Sequence, residues 1–83
     1  MMTQDVEVFL VSWAQVKNAL FFAPHDTRYI QALADLEKRL KEEFSVTELQ
    51  LVARSYDTYT VAYLANDKPG LLTIDADEVE DFA

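Results

Sequence analysis

The chain has 83 residues, 15 acidic against 7 basic side chains, a formal net charge of −8 at pH 7 and 51% hydrophobic residues. This length accommodates one domain, and the hydrophobic fraction argues against intrinsic disorder. Without cysteine and with a single histidine, the chain has no disulfides, thiolate sites or multi-histidine metal sites, and its excess of acid disfavours direct binding to nucleic acid or anionic membranes.

Residues 4–22 form the first predicted element, and the pattern permits two interpretations. The positions that recur at helical spacing are Val6, Phe9, Leu10, Trp13, Val16, Lys17 and Leu20. This period persists over four turns and favours a helix. Residues 5–11 are also rich in β-branched and aromatic side chains, which suit a strand. A strand here would change the topology from ααβββ to βαβββ.

A second helix is predicted from about residue 27 to residue 43. Pro24 ends the first element near Phe22, because proline disfavours helical backbone at the residue before it. Asp26 or Thr27 then provides an N-cap. The apolar stripe of this helix comprises Tyr29, Ile30, Leu33, Leu36, Leu40 and Phe44.

After Phe44 the hydrophobic period changes from 3.6 to 2, which is typical of strands. Strands are expected around residues 48–54, at 58–65 and at 71–74, with a turn at 66–70 that contains the only glycine. Short turns imply an antiparallel meander. We therefore predict an α+β fold with two N-terminal helices on one face of a three-stranded antiparallel sheet.

The C-terminal residues 75–83 carry five acids and no base. We predict a single domain over 1–83, divided into a folded core at 1–74 and an acidic tail at 75–83. Val79 and Phe82 lie three residues apart, so a final helical turn can dock through them.

The sequence offers little catalytic chemistry. His25-Asp26 is the one pair that resembles an acid–base couple, and adjacent residues rarely orient each other as catalysis requires. The serines have no G-x-S-x-G context, and Gly70 alone cannot build a phosphate-binding loop. We predict no catalytic, cofactor-binding or metal-binding residue, and hence a protein that is not an enzyme.

The favoured hypothesis is a small acidic protein-interaction or regulatory domain in the cytoplasm. It would bind another protein and would itself form a homodimer, and in its sharper form it inhibits a basic or nucleic-acid-binding partner through its carboxylates. At the level of class only, a small acidic cysteine-free domain resembles accessory proteins of phages and mobile elements. The candidate contacts are Asp75, Asp77, Glu78, Glu80, Asp81, Glu42, Glu43, Glu48, Tyr59 and Tyr63.

Two alternatives stay open. One is a small-ligand-binding or minor enzymatic module with a cleft between helices and sheet, where His25, Asp26 or Arg54 supplies polarity. The other is a structural subunit of a homo-oligomer. It rests on the strand at 58–65, because both of its faces are apolar enough to bury and tyrosine is enriched at interfaces.

Overall fold

In a computed structural model the backbone is described for residues 2–80 and the side chains for residues 6–80. The elements are α1 (Met2–Phe22), α2 (Thr27–Phe44), β1 (Val46–Arg54), β2 (Thr58–Ala65), β3 (Lys68–Asp75) and α3 (Ala76–Glu80). The strands form one antiparallel sheet in the order β1-β2-β3, and the helices pack against it. The predicted α+β fold of type ααβββ is confirmed, with a short C-terminal helix in addition.

The first element is helical throughout, so the βαβββ alternative is wrong. The helical spacing of its apolar residues outweighs the strand propensity of residues 5–11, because a helix places these residues on one face that packs in the core. Leu10, Trp13 and Ala14 are almost fully buried there. The Trp13 indole Nε1 also donates a hydrogen bond of 2.9 Å to Glu37 Oε2 on α2, which joins the two helices.

Local signals set both ends of α2. The Asp26 carboxylate accepts a 3.0 Å hydrogen bond from the backbone N–H of Arg28, as expected of an N-cap. The Arg28 side chain also donates to this carboxylate, and these contacts hold the pKa of Asp26 below its ordinary value. At the other end Ser45 adopts left-handed backbone (φ 58°) and its N–H donates to the carbonyls of Leu40 and Lys41.

The predicted apolar stripe of α2 is only partly covered. Leu40 is fully buried, whereas Ile30 is 47% exposed. The reason is position: α2 packs on α1 and on β1, an edge strand, rather than over the middle of the sheet.

The turn between β2 and β3 is shorter than predicted. It consists of Asn66 and Asp67, both with positive φ (53° and 65°), as in the type I′ turns that join hairpins. Gly70 lies in β3, pairs with Tyr63 and has no left-handed backbone. A Cβ at Gly70 would lie 2.6 Å from atoms of the Tyr63 ring, so a larger residue there requires the end of the Tyr63 side chain to shift, and the role of Gly70 is close packing rather than a turn.

The folded core extends past residue 74, which corrects the predicted boundary with the tail. Ala76 and Val79 of α3 are buried and belong to the same apolar cluster as Trp13 of α1. The backbone N–H of Ala76 donates to the carbonyl of Asp57 at 2.9 Å and holds α3 against the β1–β2 turn. Phe82 lies outside the described residues, so its predicted docking has no structural account.

Candidate functional site

The predicted acidic contacts lie at two opposite ends of the sheet. Asp75 pairs with Thr58 at the start of β2, whereas Val46 pairs with Ala65 at its end. These positions are roughly 23 Å apart at the ordinary rise of a strand. The C-terminal acids are therefore separated from Glu42, Glu43 and Glu48, which cluster around the junction of α2 and β1.

At the α2–β1 junction the three glutamates are exposed. Glu43 lies 4.0 Å from Arg39 in an exposed ion pair, which contributes little to stability. Glu48 has positive φ (56°) where β1 bulges between Thr47 and Gln50. A bulge twists an edge strand and hinders its pairing with a further strand. The ion pair of Glu43 and the bulge at Glu48 therefore have structural explanations that do not require a partner protein.

At the C-terminal end the structure presents carboxylates on the last residue of β3 and on the anchored helix α3, and we call residues 75–80 together the acidic helix. Asp75, Asp77 and Glu78 are exposed, and none of them forms an ion pair with another residue in the described part of the chain. The carbonyl of Glu78 accepts a 2.8 Å hydrogen bond from Gln15 Nε2 on α1. Buried Val79 and this bond hold the helix in one orientation. Asp81 lies outside the described residues.

Glu80 belongs to a polar cluster rather than to the open acidic surface. Its Oε2 accepts a 2.7 Å hydrogen bond from the hydroxyl of Tyr59. That hydroxyl also lies 3.3 Å from Asn18 Oδ1 and accepts a 3.4 Å bond from Arg54 Nη2. A tyrosine hydroxyl has one proton, so the short, charge-assisted bond to Glu80 is the stronger of its two donor contacts.

The predicted surface role of Tyr59 is corrected by its burial. Its side chain is 1% exposed and faces the helices, so an isolated chain does not present it to a partner. Tyr63 on the same face is half-buried against the core, with its ring beside Gly70. The alternation of side chains along β2 assigns each residue to one of two faces. The sequence of β2 alone does not show which of these faces the helices cover.

The face of the sheet that the described helices leave uncovered carries one charge among its paired positions, Asp75 opposite Thr58 at one end, and the other paired positions on this face are uncharged. Thr60, Ala62 and Leu64 of β2 alternate with the buried positions, and their cross-strand partners share their face. These partners are Thr47, Gln50, Ala53, Pro69, Leu71 and Thr73. Leu71 is 69% exposed. We call this surface the open sheet face.

A groove of about 500 Å³ lies between the C-terminal half of α1 and β1. Its walls are mostly apolar, and its polar groups are Lys17, Asn18 and Arg54; the complete lining is Lys17, Asn18, Leu20, Phe21, Pro24, Leu51 and Arg54. We call it the α1–β1 groove. The sequence predicts a cleft between helices and sheet to which Arg54 contributes polarity. That this cleft lies between α1 and β1 is apparent only from the tertiary structure.

The other residues expected to supply polarity do not line this groove. His25 is exposed in the α1–α2 turn, and the Asp26 carboxylate is engaged by the N-terminus of α2 and by Arg28. Within residues 6–80 no three histidine, aspartate or glutamate side chains are placed to hold a metal ion. No helix of the described chain combines the length and apolar character needed to cross a bilayer.

Comparison with known proteins adds no functional information. No family model, no curated protein and no solved structure matches this chain.

Proposed function

We propose that the chain is a non-enzymatic protein-interaction domain that binds a basic partner protein through the acidic helix. The observation that carries the proposal is the placement of Asp75, Asp77 and Glu78, which are exposed and not ion-paired within the described chain, on a segment anchored by the core. An anchored carboxylate loses less conformational entropy on binding than one in a free tail.

Electrostatics support the same proposal. The chain has a net charge of −8, which speeds encounter with a positively charged protein and disfavours nucleic acid. A partner that itself binds nucleic acid has the required positive surface. In that case the carboxylates occupy positions that phosphates would otherwise take, and the domain acts as an inhibitor.

The experiment removes charge without removing the helix. Asp77→Asn together with Glu78→Gln deletes two charges from the acidic helix, and Glu42→Gln together with Glu43→Gln deletes two from the opposite end. Tagged wild type and both variants capture proteins from lysate. The captured protein is then identified, purified and titrated against each chain over a salt series, with duplex DNA as competitor.

We expect the acidic-helix variant to bind its partner about fivefold more weakly at low salt, since each exposed ion pair contributes up to about 1 kcal/mol. Its affinity should also depend less on salt, whereas the matched control should bind like wild type. Equal binding by wild type and the acidic-helix variant would contradict the proposal.

The open sheet face favours a second candidate, a subunit of a homo-oligomer. Two copies that each carry −8 repel, and this face brings together mostly uncharged side chains, with Asp75 at one end as the one charge among its paired positions. Two sheets can pack face to face about 10 Å apart. Leu71→Lys would place like charges in such an interface, so sedimentation should show a concentration-dependent dimer for wild type and a monomer for the variant. A monomeric wild type at all concentrations would exclude this candidate.

A further inference from the structure

The α1–β1 groove is distinct from the acidic helix in chemistry. In a chain with only 7 basic residues, two of them, Lys17 and Arg54, line this one groove. Neither forms an ion pair with any residue whose side chain the structure describes. The groove therefore places two cations that have no direct ion pair within the described chain beside apolar walls.

The guanidinium of Arg54 is held in place by aromatic rings. Its Cζ lies 4.6 Å from the ring centroid of Phe21 and 5.3 Å from that of Tyr59. Its Nη2 donates to the Tyr59 hydroxyl, which leaves other N–H groups of the planar fork for a ligand. A stacked guanidinium is pre-organised for bidentate recognition of a carboxylate.

The local charge favours a monoanion. The Tyr59 hydroxyl bridges Arg54 and the Glu80 carboxylate, so one negative charge already lies near the Arg54 guanidinium. A second full negative charge on a ligand would be repelled by Glu80. Leu20, Phe21 and Pro24 provide apolar surface for the rest of the molecule, and the groove volume is in the range of small-molecule sites.

We propose that the α1–β1 groove binds a small organic carboxylate, with its apolar body on Leu20 and Phe21 and its carboxylate on Arg54 and Lys17. This site does not depend on the proposed protein-binding role, because it uses Lys17 and Arg54 rather than the exposed carboxylates of Asp75, Asp77 and Glu78.

The test uses phenylpropanoate as the probe, with phenylpropanamide as a ligand of nearly the same shape and no charge. Both are titrated into the full-length protein, and two-dimensional ¹H–¹⁵N NMR follows the backbone amides and the Arg54 side-chain N–H. Saturable shifts around Lys17, Asn18 and Arg54, with a dissociation constant in the millimolar range or tighter, are expected for the carboxylate. The amide should bind about tenfold more weakly.

Three variants make the site identifiable. Arg54→Gln should weaken phenylpropanoate binding about tenfold, because it removes the charged fork. Glu80→Gln should strengthen it, since the Tyr59 hydroxyl keeps an acceptor while the repelling charge is lost. Arg39→Gln is the matched control: Arg39 also lies over a phenylalanine ring, 5.9 Å from the centroid of Phe9, but it pairs with Glu43 and lies outside the groove.

Equal affinity for the carboxylate and the amide would overturn the proposal, and so would shifts outside the groove or the absence of saturable binding. Unchanged binding by Arg54→Gln would also overturn it, provided that the spectrum of this variant shows a folded protein. If Arg54→Gln does not fold, Glu80→Gln decides: tighter binding supports the proposal and unchanged or weaker binding contradicts it.

Discussion

Replacing Val79 with alanine tests whether the C-terminal segment is part of the core. The Val79 side chain is 1% exposed, and the substitution removes two buried methyl groups. At about 0.8 kcal/mol for each group, with a contribution from the cavity left behind, the free energy of unfolding should fall by about 2 kcal/mol. A helix of five residues has no stability of its own, so α3 depends on this anchor.

The assay is equilibrium unfolding in urea, monitored by the fluorescence of Trp13, which belongs to the same buried cluster. Glu78→Gln is the matched control: it changes a neighbouring exposed side chain, and its carbonyl bond to Gln15 is made by the backbone. Amide hydrogen exchange of residues 76–80 should accelerate in Val79→Ala and not in the control. A loss of less than about 0.5 kcal/mol would refute the reasoning, because a surface substitution has effects of that size.

The burial of Ala76 and Val79 makes truncation unsuitable for testing the acidic helix. Deleting everything after residue 74 removes Ala76 and Val79 from the core together with the charges. Such a truncation confounds a loss of affinity with a loss of stability. Substitutions that remove only charge, such as Asp77→Asn with Glu78→Gln, avoid this because both side chains are exposed.

Gly70→Ala should lower the free energy of unfolding by about 1–3 kcal/mol, because the added Cβ would overlap the Tyr63 ring. A second substitution, Tyr63→Val, in the same chain should restore part of this loss. An unchanged urea midpoint for Gly70→Ala would contradict the close contact. Asp26→Ala should lower the melting temperature at neutral pH. The pKa of the Asp26 carboxyl is lower in the folded than in the unfolded state, so this carboxylate stabilises the fold above the ordinary carboxyl pKa. The stabilisation is lost as the pH falls through the pKa of the folded state, and the melting temperatures of variant and wild type should therefore converge in acid. Glu37→Leu should lower the free energy of unfolding by about 1–3 kcal/mol, because the buried Trp13 indole loses its hydrogen-bond acceptor. Glu37→Gln keeps an acceptor and should lower the free energy of unfolding by less. Equal melting temperatures for the two variants would contradict a stabilising hydrogen bond between Trp13 and residue 37.

Local chemistry determined the order of elements in this chain. Pro24 and Asp26 separate α1 from α2, and the change of hydrophobic period after Phe44 marks the passage to strands. These signals act through backbone sterics, capping hydrogen bonds and the periodicity of helices and strands, so they are readable without knowledge of distant residues. The α+β class follows from them.

Tertiary packing decided features that involve residues far apart in sequence. The two faces of β2 are both apolar enough to bury, and only the seating of α1 put Tyr59 inside and left Leu71 exposed. Gly70 resembles a turn residue until Tyr63 is placed across from it. The spacing of Val79 and Phe82 predicts a turn that can dock, but only the packing of α3 shows that Val79 joins the same buried cluster as Trp13.

Tertiary packing also decided the arrangement of the candidate sites. The separation of the C-terminal acids from Glu48 depends on the length and antiparallel order of the strands, and the meeting of Phe21 with Arg54 depends on how α1 crosses the sheet. The sequence by itself determined which elements form and which residue types each contains. Only the tertiary structure decided which faces meet, because burial of apolar area is non-directional and does not specify a partner until the elements pack.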